Sequence, residues 1–152
     1  MKNEEDLREF VATNNVDAQV LDTDHDCASS ESAAKAFGIE ADSILKSICF
    51  VMDDGAMVVA MLAGNRRVSV GKLLKGFHSR SVRLAHDREI CELTGYEKGA
   101  VPPIGYKATF VLDSVLADKD VVYAGGGSRK AVLKIRVKDI IRLDSPAIER
   151  IT

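Results

Sequence analysis

No apolar run in this sequence approaches the roughly 20 residues that a helix needs to cross a bilayer. The first residues, Met-Lys-Asn-Glu-Glu-Asp, lack the basic and then apolar order of a secretory signal. Membrane insertion and secretion are therefore not expected, and the cytoplasm is the expected compartment. Cysteine is scarce: Cys27, Cys49 and Cys91 are odd in number and form no C-x-x-C pair, which argues against a disulfide framework or zinc knuckle. Cys49 sits in the apolar run Ile48-Cys49-Phe50-Val51 and Cys91 on an expected helix, so both read as buried filler. Cys27, in a polar stretch, is the cysteine to test for reactivity. Internal repeats, low-complexity segments and linkers are absent too. A chain of 152 residues of this kind reads as one domain, 1–152, large enough to bury a core without metal or disulfides.

Acidic residues are missing altogether from residues 55–86, which carry Arg66, Arg67, Lys72, Lys75, Arg80 and Arg83. Residues 1–54 lean the other way, with 4 basic and 13 acidic side chains, and the whole chain has a formal charge of −2. Such a protein does not bind nucleic acid by bulk charge, although a local basic segment can hold a few phosphates. The same six residues equally suit solvated faces of a strand and a helix.

What is present is a mixture of helix and strand signals. Helices are expected over 3–13, from Leu7, Phe10 and Val11 at helical spacing; over 31–37, between Ser29 or Ser30 and Gly38; over 70–75 after Ser69; over 88–93 after Asp87; and over 138–143. Strands are expected over 44–52 and 56–62, joined by Asp53-Asp54-Gly55, and over 108–112, 121–124 and 131–137. Strands do not alternate regularly with long helices, which disfavours a doubly wound parallel sheet. The expected class is a mixed α/β (α+β) fold, a β-barrel-like sheet flanked by helices.

Several familiar chemistries fail on spacing. Asp22-Thr23-Asp24-His25-Asp26 opens like a calcium loop but has Cys27 at the sixth position and Ala33 at the twelfth. Gly125-Gly126-Gly127-Ser128-Arg129-Lys130 is not a phosphate-loop spacing; it reads either as a flexible hairpin turn or as backbone that a ligand approaches closely. His25, His78 and His86 show no metal-ligand spacing, and there is no G-x-S-x-G elbow. No metal and no cofactor is expected. Lys46 shares a strand face, by period two, with Ile44, Ile48 and Phe50. An ammonium there either snorkels at the strand end or reaches a pocket holding an anionic or carbonyl group. Gly99-Ala100-Val101-Pro102-Pro103-Ile104-Gly105 forms a stiff loop, suited either to presenting backbone groups or to a plain crossover.

Four blocks in order resemble the YbaK/prolyl-tRNA synthetase-associated editing domains. They are Ser32-Ala33-Ala34-Lys35-Ala36-Phe37-Gly38-Ile39 with Ile44-Leu45-Lys46-Ser47; Ala63-Gly64-Asn65-Arg66-Arg67-Val68 with Lys72-Leu73; Thr94-Gly95-Tyr96 with the 99–105 loop; and Gly125-Gly126-Gly127-Ser128 with Leu133-Lys134-Ile135 and Asp139-Ile140-Ile141. The resemblance spans about residues 25–143. It implies the fold class above and hydrolysis of the ester in a mischarged aminoacyl-tRNA, with tRNA(Pro) carrying alanine or cysteine as the expected substrate. The implied catalytic residues are Lys46, holding the substrate, and Gly99. The implied binding residues are Pro103, Gly105, Asn65, Gly125, Gly126, Gly127 and Ser128. The implied partners are the acceptor 3′ end of aminoacyl-tRNA and prolyl-tRNA synthetase. Lys134 falls where members vary with specificity, and Cys27 where a hydroxyl-bearing or apolar residue is common. Two other readings stay open: a non-catalytic accessory that binds the tRNA 3′ end, and a pocket protein for a small phosphorylated metabolite.

Overall fold

The computed structural model describes residues 1–152. Helix α1 (Glu4–Thr13) starts at Asn3, whose side chain accepts from the backbone N–H groups of Glu5 and Asp6. Helix α2 (Ser30–Phe37) is capped by Ser29 and ends at Gly38 in the left-handed conformation. A single 3₁₀ turn (Ala41–Ser43) leads into strand β2 (Leu45–Met52), which turns at Asp53–Gly55 into β3 (Met57–Ala63). Helix α3 (Val70–Lys75) follows Ser69, and α4 (Asp87–Thr94) follows His86 rather than Asp87. At that cap the Glu89 carboxylate accepts from the His86 N–H at 2.8 Å, a bond that places the helix start one residue earlier than expected. Strands β5 (Thr109–Asp113), β6 (Val121–Gly125) and β7 (Ala131–Arg136) and helix α6 (Val137–Asp144) lie within a residue or two of the sequence expectation.

Three strands and one helical turn escaped the sequence reading. They are β1 (Ala18–Asp22), β4 (Val82–Leu84), β8 (Ala147–Glu149) and α5 (Ser114–Ala117). Two of these strands have three residues, too few to show a period. Strand β8 pairs with β5, and the residues after it are tied down at long range: Asp113, fully buried, accepts from Ile151 N–H at 3.0 Å and from Thr152 Oγ1–H at 2.9 Å.

The strands form two sheets, ordered β1-β7-β6 and β4-β2-β3-β5-β8, the first antiparallel and the second mixed. One parallel bridge, Ile44 to Tyr123, stitches them together. The barrel-like expectation holds only loosely, because the sheets do not close. The β2 segment meets β6 at that bridge, and the β4 side only from Cys49, whose carbonyl accepts from Ala85 N–H, so its edge between the two is left open. The main core lies between the sheets and includes Leu45, Cys49, Met61, Leu112, Leu133 and Ile135. The opposite face of β2 carries Phe50 and Met52 into a second apolar cluster with Leu73 and Ile151.

Asp144, at the end of α6, has a buried Oδ2 without a hydrogen-bond partner, and burial pushes its pKa up to about 8. The folded chain thus keeps a proton that the unfolded chain releases above about pH 4. The contribution of this group to stability is full below pH 4 and declines as the pH rises toward 8. Asp144→Asn is expected to melt with wild type at pH 4 and several degrees above it at pH 8, in thermal melts followed by circular dichroism. Equal melting temperatures at both values would refute the assignment.

Candidate active site

Between the open edge of β2 and the diverging β6 lies a pocket of about 290 Å³. Consecutive residues 44–49 of the β2 segment form one wall. Tyr123, Ala124 and Gly125 of β6 form the second, and the Gly99–Val101 segment and the start of α2 complete it. Fourteen of its 21 lining residues are hydrophobic, and its charged residues are Lys46 and Lys98, with no Asp or Glu among them. Such a pocket favours a ligand with a small apolar part and electron-rich oxygens.

Lys46 stands on the wall of β2. Its Nζ donates to the backbone carbonyls of Gly64 at 3.3 Å and Arg66 at 2.5 Å. No carboxylate pairs with it, and burial, with the nearby Arg67 charge, lowers its pKa. Carbonyl dipoles at the β3–α3 turn therefore hold the ammonium in place without neutralising it. This position combines both sequence readings: the lysine leaves the apolar strand face and still lines the pocket.

The 99–105 loop reaches the pocket by its first residues only. Gly99 has φ +88° and lies so close to Ala28 that a Cβ would stand 3.1 Å from its carbonyl oxygen and its Cβ. A side chain is thus opposed twice at that position, by conformation and by space. The N–H groups of Gly99 and Val101 have no acceptor within the chain, whereas the neighbouring Ala100 N–H donates to Glu97 O at 3.1 Å. Two pocket-lining residues therefore keep free backbone donors. Pro103 is buried behind them, and Gly105 packs toward Phe10 of α1, outside the pocket lining.

The glycine turn is used mostly from within. Gly125 lines the pocket, but a Cβ on it would fall 2.1 Å from the Val101 carbonyl oxygen, so β6 and the loop meet backbone to backbone. Gly126 packs on Ala131 and Gly127 on Asn3, and the Gly127 N–H donates to Ala100 O at 2.9 Å. Ser128 accepts from Lys130 N–H at 3.3 Å and does not line the pocket. Asn65 is exposed in the turn between the two residues whose carbonyls hold Lys46. Lys46, Gly99 and Gly125 are thus brought together on the pocket wall; Pro103, Gly105, Gly126, Gly127, Ser128 and Asn65 are not part of its lining.

Cys27, the cysteine singled out for reactivity, is buried. It is 8% exposed, and burial together with Asp26 pushes its thiol pKa up, so it is a protonated lining group rather than an activated nucleophile. Lys134 does not line the pocket; its Nζ lies over the ring of Tyr123, which does, 6.0 Å from the centroid. Sequence reasoning missed Ser47, Ile90 and Tyr123 on the lining. Ser47 carried a signal: it is the polar residue between Leu45 and Cys49 on the core-facing positions of β2.

Residues 24–143 match the family model described as the aminoacyl-tRNA editing domain. The chain belongs to that family. It is 30% identical over 131 residues to the Enterococcus faecalis protein named "Putative Cys-tRNA(Pro)/Cys-tRNA(Cys) deacylase EbsC", covering 84% of this chain and 79% of that one. It is 29% identical over 110 residues to a proline–tRNA ligase of Lactobacillus delbrueckii subsp. bulgaricus, covering 69% of this chain and 19% of the ligase. A crystal structure of "a putative trans-editing enzyme for prolyl tRNA synthetase" superimposes with a TM-score of 0.88 at 26% identity, covering 98% of this chain and 96% of that one. The matched segment takes in the whole pocket, from Cys27 to Val132. This editing domain therefore keeps the fold, and the two sheets hold its pocket open at their divergence.

Proposed function

We propose that the protein is an aminoacyl-tRNA deacylase acting in trans in the cytoplasm. It removes alanine or cysteine from mischarged tRNA(Pro). The observation that carries this is the acid-free apolar pocket with an unpaired ammonium at Lys46 and free N–H groups at Gly99 and Val101. An aminoacyl ester needs little activation. Water adds to its carbonyl carbon, the bond to the ribose oxygen breaks, and the amino acid and the ribose hydroxyl leave. The enzyme supplies position and stabilises the oxygen that becomes negative. In this reading the Gly99 and Val101 donors serve that oxygen, and Lys46 holds the terminal nucleotide or the ester. The ribose 2′-hydroxyl beside the ester assists the water. Selection follows the pocket contour: what fits is hydrolysed.

The match to about a fifth of the ligase's length supports association with prolyl-tRNA synthetase, because a related segment carried within a synthetase has its substrate delivered there. The test is a deacylation panel on tRNA(Pro) charged with proline, alanine, cysteine and serine, with Ala-tRNA(Ala) alongside. Rapid loss of the alanyl or cysteinyl ester, with Pro-tRNA(Pro) spared, is expected. Binding of tRNA with no ester lost would leave a 3′-end binding accessory in its place.

A further inference from the structure

Inside the pocket the side chains of β2 divide. Leu45 and Cys49 belong to the main core, together with the lining residues Ile90, Val101 and Ala124. Ser47 occupies the position between Leu45 and Cys49 on the same face, since alternate residues of a strand point the same way. Its Oγ is buried and has no hydrogen-bond partner. Serine hydroxyls rarely stay unpaired when buried, because the lost solvation is not repaid. The other serine hydroxyls on the wall are placed differently: Ser29 Oγ is engaged with Ser32, and Ser30 packs against Gly64. Of the two polar side chains that this strand brings to the chamber, Lys46 is engaged by backbone carbonyls, whereas nothing in the fold uses the Ser47 hydroxyl.

We infer that Ser47 Oγ is a substrate contact, accepting a hydrogen bond from the α-amino group of the bound aminoacyl ester. This rests on the deacylase reading and deepens it. The cationic and N–H groups around the pocket suit the ester and nucleotide oxygens, and they cannot accept a hydrogen bond. On the aminoacyl part the amino group is the donor common to every such ester, and the lining offers it no carboxylate. Ser47 Oγ is the unpaired buried acceptor facing that chamber.

The test compares two non-hydrolysable ligands, 3′-alanylamino-3′-deoxyadenosine and its 3′-propionylamino analogue, which lacks only the amino group. Wild type is expected to bind the first about tenfold more tightly by calorimetry, and Ser47→Ala to bind both alike. Ser47→Thr, which restores the hydroxyl, is expected to recover the preference. Removing an unpaired buried hydroxyl also leaves the melting temperature of Ser47→Ala at or above that of wild type, whereas a structural serine would lower it. Retention of the preference by Ser47→Ala, or no preference in wild type, overturns the assignment while the deacylase reading stands. Failure of wild type to bind either ligand overturns the pocket reading and this contact with it.

Discussion

Replacing Lys46 with alanine is expected to lower kcat/KM for the mischarged ester at least about a hundredfold while the protein stays folded, with a melting temperature within about 3 °C of wild type. The two halves of this expectation have one cause. The ammonium is partly buried and meets carbonyl oxygens of Gly64 and Arg66 but no carboxylate. It therefore adds little to stability, since its lost hydration offsets the two hydrogen bonds. Its field is left available for a substrate oxygen. Burial lowers its pKa, so the protonated form is lost earlier on the alkaline side than for a free lysine. The wild-type rate is expected to fall there, and Lys46→Arg to keep rate at higher pH than wild type if charge alone matters. Single-turnover deacylation across pH reads all three. Wild-type turnover in Lys46→Ala would remove the lysine from the site.

Gly125→Ala is expected to lower stability strongly. The new Cβ would lie 2.1 Å from the Val101 carbonyl oxygen and 2.6 Å from its carbon, both backbone atoms of a proline-stiffened loop. Relief requires β6 and the loop to part, and overpacking of this kind costs about 3 kcal/mol or more. For a chain of this size that is a fall of roughly 10 °C in melting temperature. Gly71→Ala is the control. Gly71 lies in α3 with nothing within 4 Å of its Cβ position, so alanine there should stabilise by about 0.5–1 kcal/mol. Equal melting temperatures for Gly125→Ala and wild type would mean that the loop yields freely. The pocket could not then owe its shape to that contact.

These two residues also mark where sequence reading reached and where it stopped. Lys46 stood out because an ammonium on an apolar strand face demands a reason, and that demand is local. The need for glycine at 125 was legible only as a run of three glycines. Whether a ligand or the chain itself approached them depended on where the 99–105 loop came to rest, nearly 25 residues away in sequence. The fold shared this division. Helices with caps and all the strands of five residues or more except β1 declared themselves through period and punctuation, which are properties of neighbouring residues. Strands β4 and β8, of three residues each, exist because β2 and β5 offer them an edge, so nothing within them announces it.

The sequence by itself determined the mixed class, most element boundaries and the family, and it singled out the lysine and the glycine loop as candidates, since each is carried by residue type and spacing over short range. The tertiary structure alone decided that the sheets diverge rather than close, and that β2 is open between Tyr123 and Ala85. It alone buried Cys27 and left Ser47 unpaired. Those outcomes depend on which backbone edges remain unmatched after packing, and an edge gains a partner or lacks one only once the whole chain is in place.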